Sequence, residues 1–213
     1  MGIMKWTYFL WCMGLGLQLA GEATVAQISN KGTLLVARED LPDPRFSETV
    51  VLLIQHDSGG ALGIVLNRPT WVEPTIVFPE LEFLSDYEGH VYIGGPLQQS
   101  NILILARRTN RLGTDAMPVL EGVYASSELD FLRLAADSAK DESALRLYAG
   151  HAEWGPQQLD QEIARGDWRV IPAKAEMVFT SEPLTLWRRA RSSELEMIVI
   201  QSDSELPIAL VLN

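Results

Sequence analysis

LRLYAGHAEWGPQQLDQEIARGDW, residues 145–168, is the stretch on which the fold turns. Leu145, Leu147 and Ala149 alternate as a strand would, and Gly150 and Gly155 mark a glycine-rich bend. Pro156 then opens a polar-faced helix that stops at Gly166. Proline suits the first helical position because its missing N–H needs no partner there. Glycine suits the stop because it accepts a positive φ. Leu159, Ile163 and, past the stop, Trp168 face the core. The stretch predicts a strand–turn–helix–strand unit.

The 213 residues around it fit one domain, or one domain with appendages. Lys and Arg number 17 against 28 Asp and Glu, for a net charge of −11, and no basic block stands out. DNA affinity comes mainly from cations that neutralise phosphates, so the balance argues against nucleic acid as a partner. The same deficit argues against a polybasic hold on anionic lipid. Cys12 is the single cysteine, which excludes an intrachain disulfide and a zinc site built on cysteines.

Residues 1–26 begin with Lys5, pass through an apolar run from Trp6 to Leu19, and end in small residues at Ala23 and Ala26. A charged start, a short apolar middle and a small-residue exit predict a signal peptide. The run is short for a membrane span, which needs about 20 apolar residues. Export to the periplasm follows, with no stable membrane span once the signal is removed. An uncleaved apolar extension is the other reading.

Outward from 145–168, short strands dominate. Thr33–Ala37 is one, and residues 41–45 (LPDPR) form a loop. ETVVLLIQ (48–55) is continuously apolar and β-branched, as in a strand covered on both faces. DSGG (57–60) turns it into ALGIVL (61–66), a hairpin with a four-residue loop, and Gly63 signals a bulge or a close backbone approach. A short helix is expected near 80–85, strands at 91–93, 102–106 and within 119–126, and a long connection over 107–118. Ser127 caps a helix over 128–140 whose apolar stripe is Leu129, Leu132, Ala136 and Ala139. Residues 168–171 form a strand, Ser181 caps a helix from Pro183 to Arg191, and 196–201 and 206–212 read as two more strands.

These pieces resemble the bacterial YqgE/AlgH family, also called UPF0301 or DUF179. The resemblance spans about Gly32 to Arg191. It rests, in order, on GTLLVAREDLPDPRFSETVVLLIQHDSGGALGIVLNRP from Gly32, VYIGGPLQ from Val91, GHAEWGPQQLDQEIARGDW from Gly150 and EPLTLWRRA from Glu182. It implies an α+β fold: a bent, largely antiparallel sheet closing into a pseudo-barrel with a few flanking helices, residues 27–213 forming a single domain. It implies no established catalytic activity; one branch is linked to regulation of alginate synthesis. Most members lack a signal peptide, so it also carries the alternative of a cytoplasmic location. This chain departs from the family at His151 and Glu153, in a segment that usually reads Gly-Tyr-Ala-Gly-Trp, and at Gln157, where glycine is usual. The strands after Ser192 lie outside the usual pattern.

Chemistry-bearing motifs are sparse. There is no G-x-S-x-G elbow, no phosphate-binding loop and no dinucleotide fingerprint, so no catalytic residue and no cofactor is expected. His151 and Glu153 share a face if the strand continues that far, yet a metal needs three or four ligands. They read as a surface pair, with no metal. Gly94, Gly95 and Pro96, together with Gly155 and Pro156, form the candidate ligand site, with His151, Glu153 and Trp154 beside them. Two such corners side by side, with a helix start at Pro156, would attract an anion or a peptide carboxylate. Tight turns needed for packing, with Trp154 as a core plug, are the alternative we favour, since Glu153 repels an anion. The functional expectation is a non-enzymatic accessory or regulatory protein that binds a protein partner or small ligand. The alternative is a hydrolase using scattered groups such as His56, His151 and Glu153.

Overall fold

The computed structural model describes residues 31–108 and 116–192. The predicted signal peptide, the strands at 196–201 and 206–212, and part of the 107–118 connection lie outside them. The nine described strands are β1 (Thr33–Ala37), β2 (Val50–Asp57), β3 (Gly60–Val65), β4 (Val91–Ile93), β5 (Leu97–Arg107), β6 (Met117–Leu120), β7 (Val123–Ser126), β8 (Leu145–Trp154) and β9 (Trp168–Pro172). The described helices are short: α1 (Pro74–Val77), α2 (Leu129–Ala136), α3 (Gln158–Ala164), α4 (Ala175–Val178) and α5 (Leu186–Arg191). The strands join in the order β6-β7-β5-β8-β3-β2-β1-β9, with β4 paired to β8. All of these pairs are antiparallel except β4–β8.

The fold is therefore α+β with a mostly antiparallel sheet, as expected. Closure into a barrel is not made by hydrogen bonds, because β6 and β9 end the path unpaired to each other among the described residues. The sheet is nonetheless curled: a Cβ on Gly32, just before β1, would lie 2.6 Å from the Val119 carbonyl of β6.

β8 is the hub. Its two faces feed two separate cores. Leu145 and Leu147 join Ile104, Ala106, Phe131 and Ala135 on the side of α2. Tyr148, Ala152 and Trp154 join Leu52, Ile64, Trp168 and Leu186 on the other. One edge of β8 takes β5; the other is shared by β4, at Leu147–Ala149, and β3, at Ala152–Trp154.

The predicted bend at Gly150 is the first correction. The strand continues unbroken to Trp154, and glycine is needed there for a different reason. Gly150 has φ +74°, and a Cβ would sit 2.5 Å from the Leu97 carbonyl oxygen. The hairpin is tighter than expected too: Asp57 pairs with Gly60, leaving Ser58 and Gly59 as its loop. Gly63 does mark a close approach, since its Cβ would meet Val51 and the Trp154 ring. The irregularity lies opposite, between Leu53 and Gln55.

α2 buries Phe131, Leu132, Ala135 and Ala136, while Leu129 is 59% exposed. Leu132, Ala136 and Ala139 of the predicted stripe face the core as expected; Leu129 does not, and Phe131 and Ala135 take its place on the inward face. No side chain caps the helix: Glu128 stands at its N-cap position, Ser126 Oγ accepts from the Glu128 N–H in the turn before it, and the helix ends well short of Lys140. Ser181 gives way in the same manner to Thr180, whose Oγ1 accepts from the Glu182 N–H before a 3₁₀ turn at Pro183–Thr185.

Candidate functional site

The turn after β8 differs from the sequence expectation. Pro156 does not open α3. The Gln158 N–H donates to the Gly155 carbonyl, and Gln157 sits between them at φ +60°, ψ −3°. Proline followed by a left-handed residue is the geometry of a type II turn, whose third position favours glycine. That accounts for the glycine usual in the family at this position. α3 itself closes as predicted at Gly166, at φ +79°. The Gly166 N–H donates to the Ile163 carbonyl and the Asp167 N–H to the Glu162 carbonyl, which is a Schellman motif.

The two glycine–proline corners are not side by side. Gly94 and Gly95 lie against the middle of β8: a Cβ on Gly94 would meet the Gly150 carbonyl at 2.3 Å, and one on Gly95 the His151 carbonyl carbon at 2.1 Å. The Gly94 N–H donates to the Ala149 carbonyl and its own carbonyl accepts from the Val65 N–H. Gly155 instead faces Gly60 at the β2–β3 hairpin. The cradle of paired corners drawn from the sequence is therefore not assembled, because each glycine serves a different backbone crossing.

What does assemble is an aromatic notch. Phe46 stacks on Trp154 at 6.0 Å between centroids, and Trp168 meets both rings edge-on, at 5.6 Å from Phe46 and 6.0 Å from Trp154. Glu162 of α3 ties the floor together, since one carboxylate oxygen accepts from both indole N–H groups at 2.9 Å each. Its other oxygen accepts from the Gln158 amide. Over this floor lies a hollow of about 170 Å³ whose walls include Leu41, Pro96, Leu97 and Glu153. Its rim charges are paired, Asp43 with Arg45 at 2.7 Å and Asp167 with Arg165 at 2.7 Å. The Arg45 guanidinium holds the Asp43 carboxyl below its ordinary value.

Of the predicted residues, Pro96, Glu153 and Trp154 meet at this notch. His151 and Glu153 do share a face of β8, 3.8 Å apart, and open with Asp57 onto a second cleft of about 290 Å³ on the hairpin side. His56 pairs with Asp160 of α3 at 3.3 Å. Among the described residues no cluster of three metal-binding side chains occurs. A hollow of about 1030 Å³ lies by the β6–β7 hairpin and Ser138, and none of the predicted residues lines it.

The sequence reading missed a buried polar cluster on β8. Arg146 is 1% exposed and donates to three main-chain carbonyls: Glu142 (3.1 Å), Val178 (3.0 Å) and Thr180. Its guanidinium lies 5.0 Å over the Tyr92 ring. The Tyr92 hydroxyl donates to Glu142 at 2.6 Å, and the other Glu142 oxygen faces His90 at 2.9 Å. The neighbouring Tyr148 hydroxyl is enclosed and makes no hydrogen bond of acceptable geometry. Burial pushes the phenols of Tyr87, Tyr92 and Tyr148 well up from their ordinary value. The signal available in the sequence was an arginine at an inward position of an apolar strand, between Leu145 and Leu147. The cluster clamps the Val178–Thr180 segment to the sheet, and no cavity opens on it among those described.

A curled α+β sheet with a small aromatic notch defines a class of protein rather than a reaction. Comparison supplies the family. Residues 34–195 match the AlgH-like family DUF179, and the chain belongs to it. It is similar to a UPF0301 protein of Streptomyces avermitilis, 35% identical over 190 residues that cover 87% of this chain and 97% of the relative. It is likewise similar to a UPF0301 protein of Mycobacterium tuberculosis, 35% identical over 168 residues, covering 78% of this chain and 82% of the relative. Among solved structures, a Corynebacterium diphtheriae protein matches with a TM-score of 0.63 and 26% identity, covering 79% of this chain and 91% of its own. The AlgH protein of Pseudomonas aeruginosa shares the fold with a TM-score of 0.63 at 24% identity, over 84% of this chain and 95% of its own.

Proposed function

We propose that the protein is a non-enzymatic accessory or regulatory protein that holds a partner segment or small ligand against the Trp154–Trp168 floor. The observation that supports this reading is the state of the polar groups there. Both indole N–H groups are committed to Glu162, and the rim ion pairs satisfy each other. The lining thus offers shape and apolar contact, not an activated nucleophile or base. Leu97, 38% exposed, extends the apolar wall. A hollow of about 170 Å³ admits one anchoring side chain of leucine or phenylalanine size. Glu153 at its edge disfavours an anionic ligand.

Amide spectra of ¹⁵N-labelled protein titrated with N-acetyl-leucine amide, N-acetyl-phenylalanine amide and N-acetyl-phenylalanine carboxylate test this. Shifts concentrated at Phe46, Leu97 and the two indoles, weaker for the carboxylate, are expected. Unchanged spectra at millimolar probe would remove the reading. The same proposal takes residues 1–26 as a removed signal peptide, residues 27–213 as one domain and the periplasm as its place. A mature mass starting at Gln27 agrees, and an intact amino terminus moves the protein to the cytoplasm. It also takes the curled sheet as a pseudo-barrel, supported by the approach of Gly32 to Val119.

A further inference from the structure

Between β3 and β4 the chain makes an excursion whose ends are stitched together. The Thr70 N–H donates to the Val91 carbonyl at 3.0 Å and the Val91 N–H to the Val72 carbonyl at 2.9 Å. The Thr70 hydroxyl reinforces the stitch, donating to the Val91 carbonyl at 2.6 Å and accepting from the Val72 N–H. Trp71 lies between these two pinned neighbours at φ +62°. A left-handed backbone strains a bulky residue. Burial does not offset it: the Trp71 side chain is 65% exposed, touching His90 edge-on at 5.5 Å. Beside it in the chain, buried Pro74 seats α1, which leaves Ile76 69% and Val77 44% exposed. A strained, rigidly presented tryptophan with two exposed aliphatic residues is the composition of an interface anchor, not of a solvated loop.

The charges around it say what covers it. Residues 70–91 contain Glu73, Glu80, Glu82, Asp86 and Glu88, all exposed, and no Lys or Arg. Cations near the excursion from other elements include Arg133, over the Phe83 ring, and the buried Arg146 beside Tyr87, while Lys140 meets it through its main-chain carbonyl, which accepts from the Glu88 N–H. A second copy docking through this same face would set carboxylates against carboxylates, and an anionic lipid surface would be repelled in the same way. Residues 193–213 of this chain carry four acids and no Lys or Arg, so they fail the same criterion. We infer that the Trp71–Val77 face is a docking surface for a cationic amphipathic segment of a protein partner. This face shares no residue with the notch over Trp154, so either assignment can fail without the other.

The probe is a Leu/Lys amphipathic peptide about four helical turns long, fluorescently labelled and titrated with the mature protein at low and high salt. Controls are the same peptide with Glu for Lys, and a Leu/Lys scramble with no apolar face. The variants are Trp71→Asn, since asparagine tolerates a positive φ, and Ile76→Ser; both sites are exposed, and urea unfolding checks that the fold survives. The Lys peptide is expected to bind, more weakly in salt, with at least tenfold lower affinity for the double variant, and the Glu peptide not at all. No binding of the Lys peptide overturns the inference. So does equal binding by the double variant, which reduces the attraction to net charge. Self-association that disappears in Trp71→Asn, or binding to phosphatidylglycerol vesicles, overturns it in favour of another occupant.

Discussion

Replacing Arg146 by methionine asks whether the buried guanidinium clamp stabilises the fold or merely tolerates its own desolvation. The side chain is 1% exposed, and its donors serve the carbonyls of Glu142, Val178 and Thr180. Methionine keeps contact with Tyr92 and Phe179 but supplies no donor. A buried acceptor left without a partner costs about 1–3 kcal/mol. Removing the donor from two fully buried carbonyls and one part-buried one therefore costs roughly 3–5 kcal/mol once the site relaxes. The opposing effect is that burying a charge is expensive, and apolar replacements of buried ion clusters are sometimes neutral. The carbonyls decide here, because the backbone holds them in place: those of Val178 and Thr180 lie at the end of α4 and that of Glu142 just before β8. Urea unfolding followed by circular dichroism gives the difference. Arg146→Lys is expected to recover little of it, since an ammonium lacks the planar fork that reaches all three oxygens. An Arg146→Met protein within about 1 kcal/mol of wild type refutes the clamp, because so small a loss is ordinary for any substitution.

Four further outcomes follow from the same geometry. Tyr148→Phe removes an enclosed hydroxyl that makes no well-formed hydrogen bond and has only the Arg146 guanidinium near it, and unfolding measurements should show a change of no more than about 1 kcal/mol. Gln157→Gly relieves a left-handed backbone and should raise stability by up to about 1 kcal/mol, read as a higher Tm. Glu162→Gln keeps one oxygen for the two indoles but loses the carboxylate charge and sets an amide N–H against the Gln158 amide; a loss of roughly 1–3 kcal/mol and a changed tryptophan emission maximum are expected. Tyr87, Tyr92 and Tyr148 have raised folded-state values. Their contribution is thus complete below the unfolded value of about 10 and declines as pH rises beyond it. Phenolate absorbance at high pH should appear for these residues together with unfolding, and a smooth titration of every tyrosine in the folded protein would contradict their burial.

Much of the sheet was readable from residues alone because its strands are β-branched runs bounded by glycine and proline. Val50–Ile54 and Ile102–Ala106 needed no tertiary information. Glycine was the main source of error. Gly150, Gly94 and Gly95 look like turn residues in one dimension, yet they mark where backbones cross too closely for a Cβ. A turn and a crossing leave the same letter in the sequence, and only the partner strand tells them apart. Pro156 misled for a related reason: proline serves a type II turn as readily as a helix start, and Gln157 hid the positive φ that glycine would have announced. The notch was half visible, since Trp154 and Trp168 were read as inward-facing, but Phe46 comes from a distant loop. Arg146 was passed over because its partners are carbonyls, which no residue type reveals.

The division of one β8 edge between β4 and β3 bears on how the chain is made. Until Leu145–Trp154 has left the ribosome, the β1–β3 meander presents a bare, apolar margin at β3, and β5 has only β7 beside it, its other edge open. Both halves wait on the same late strand, so their pairing is non-local and slow to form. Nascent chains stalled before Leu145 are the species in which open strand margins would stick to one another.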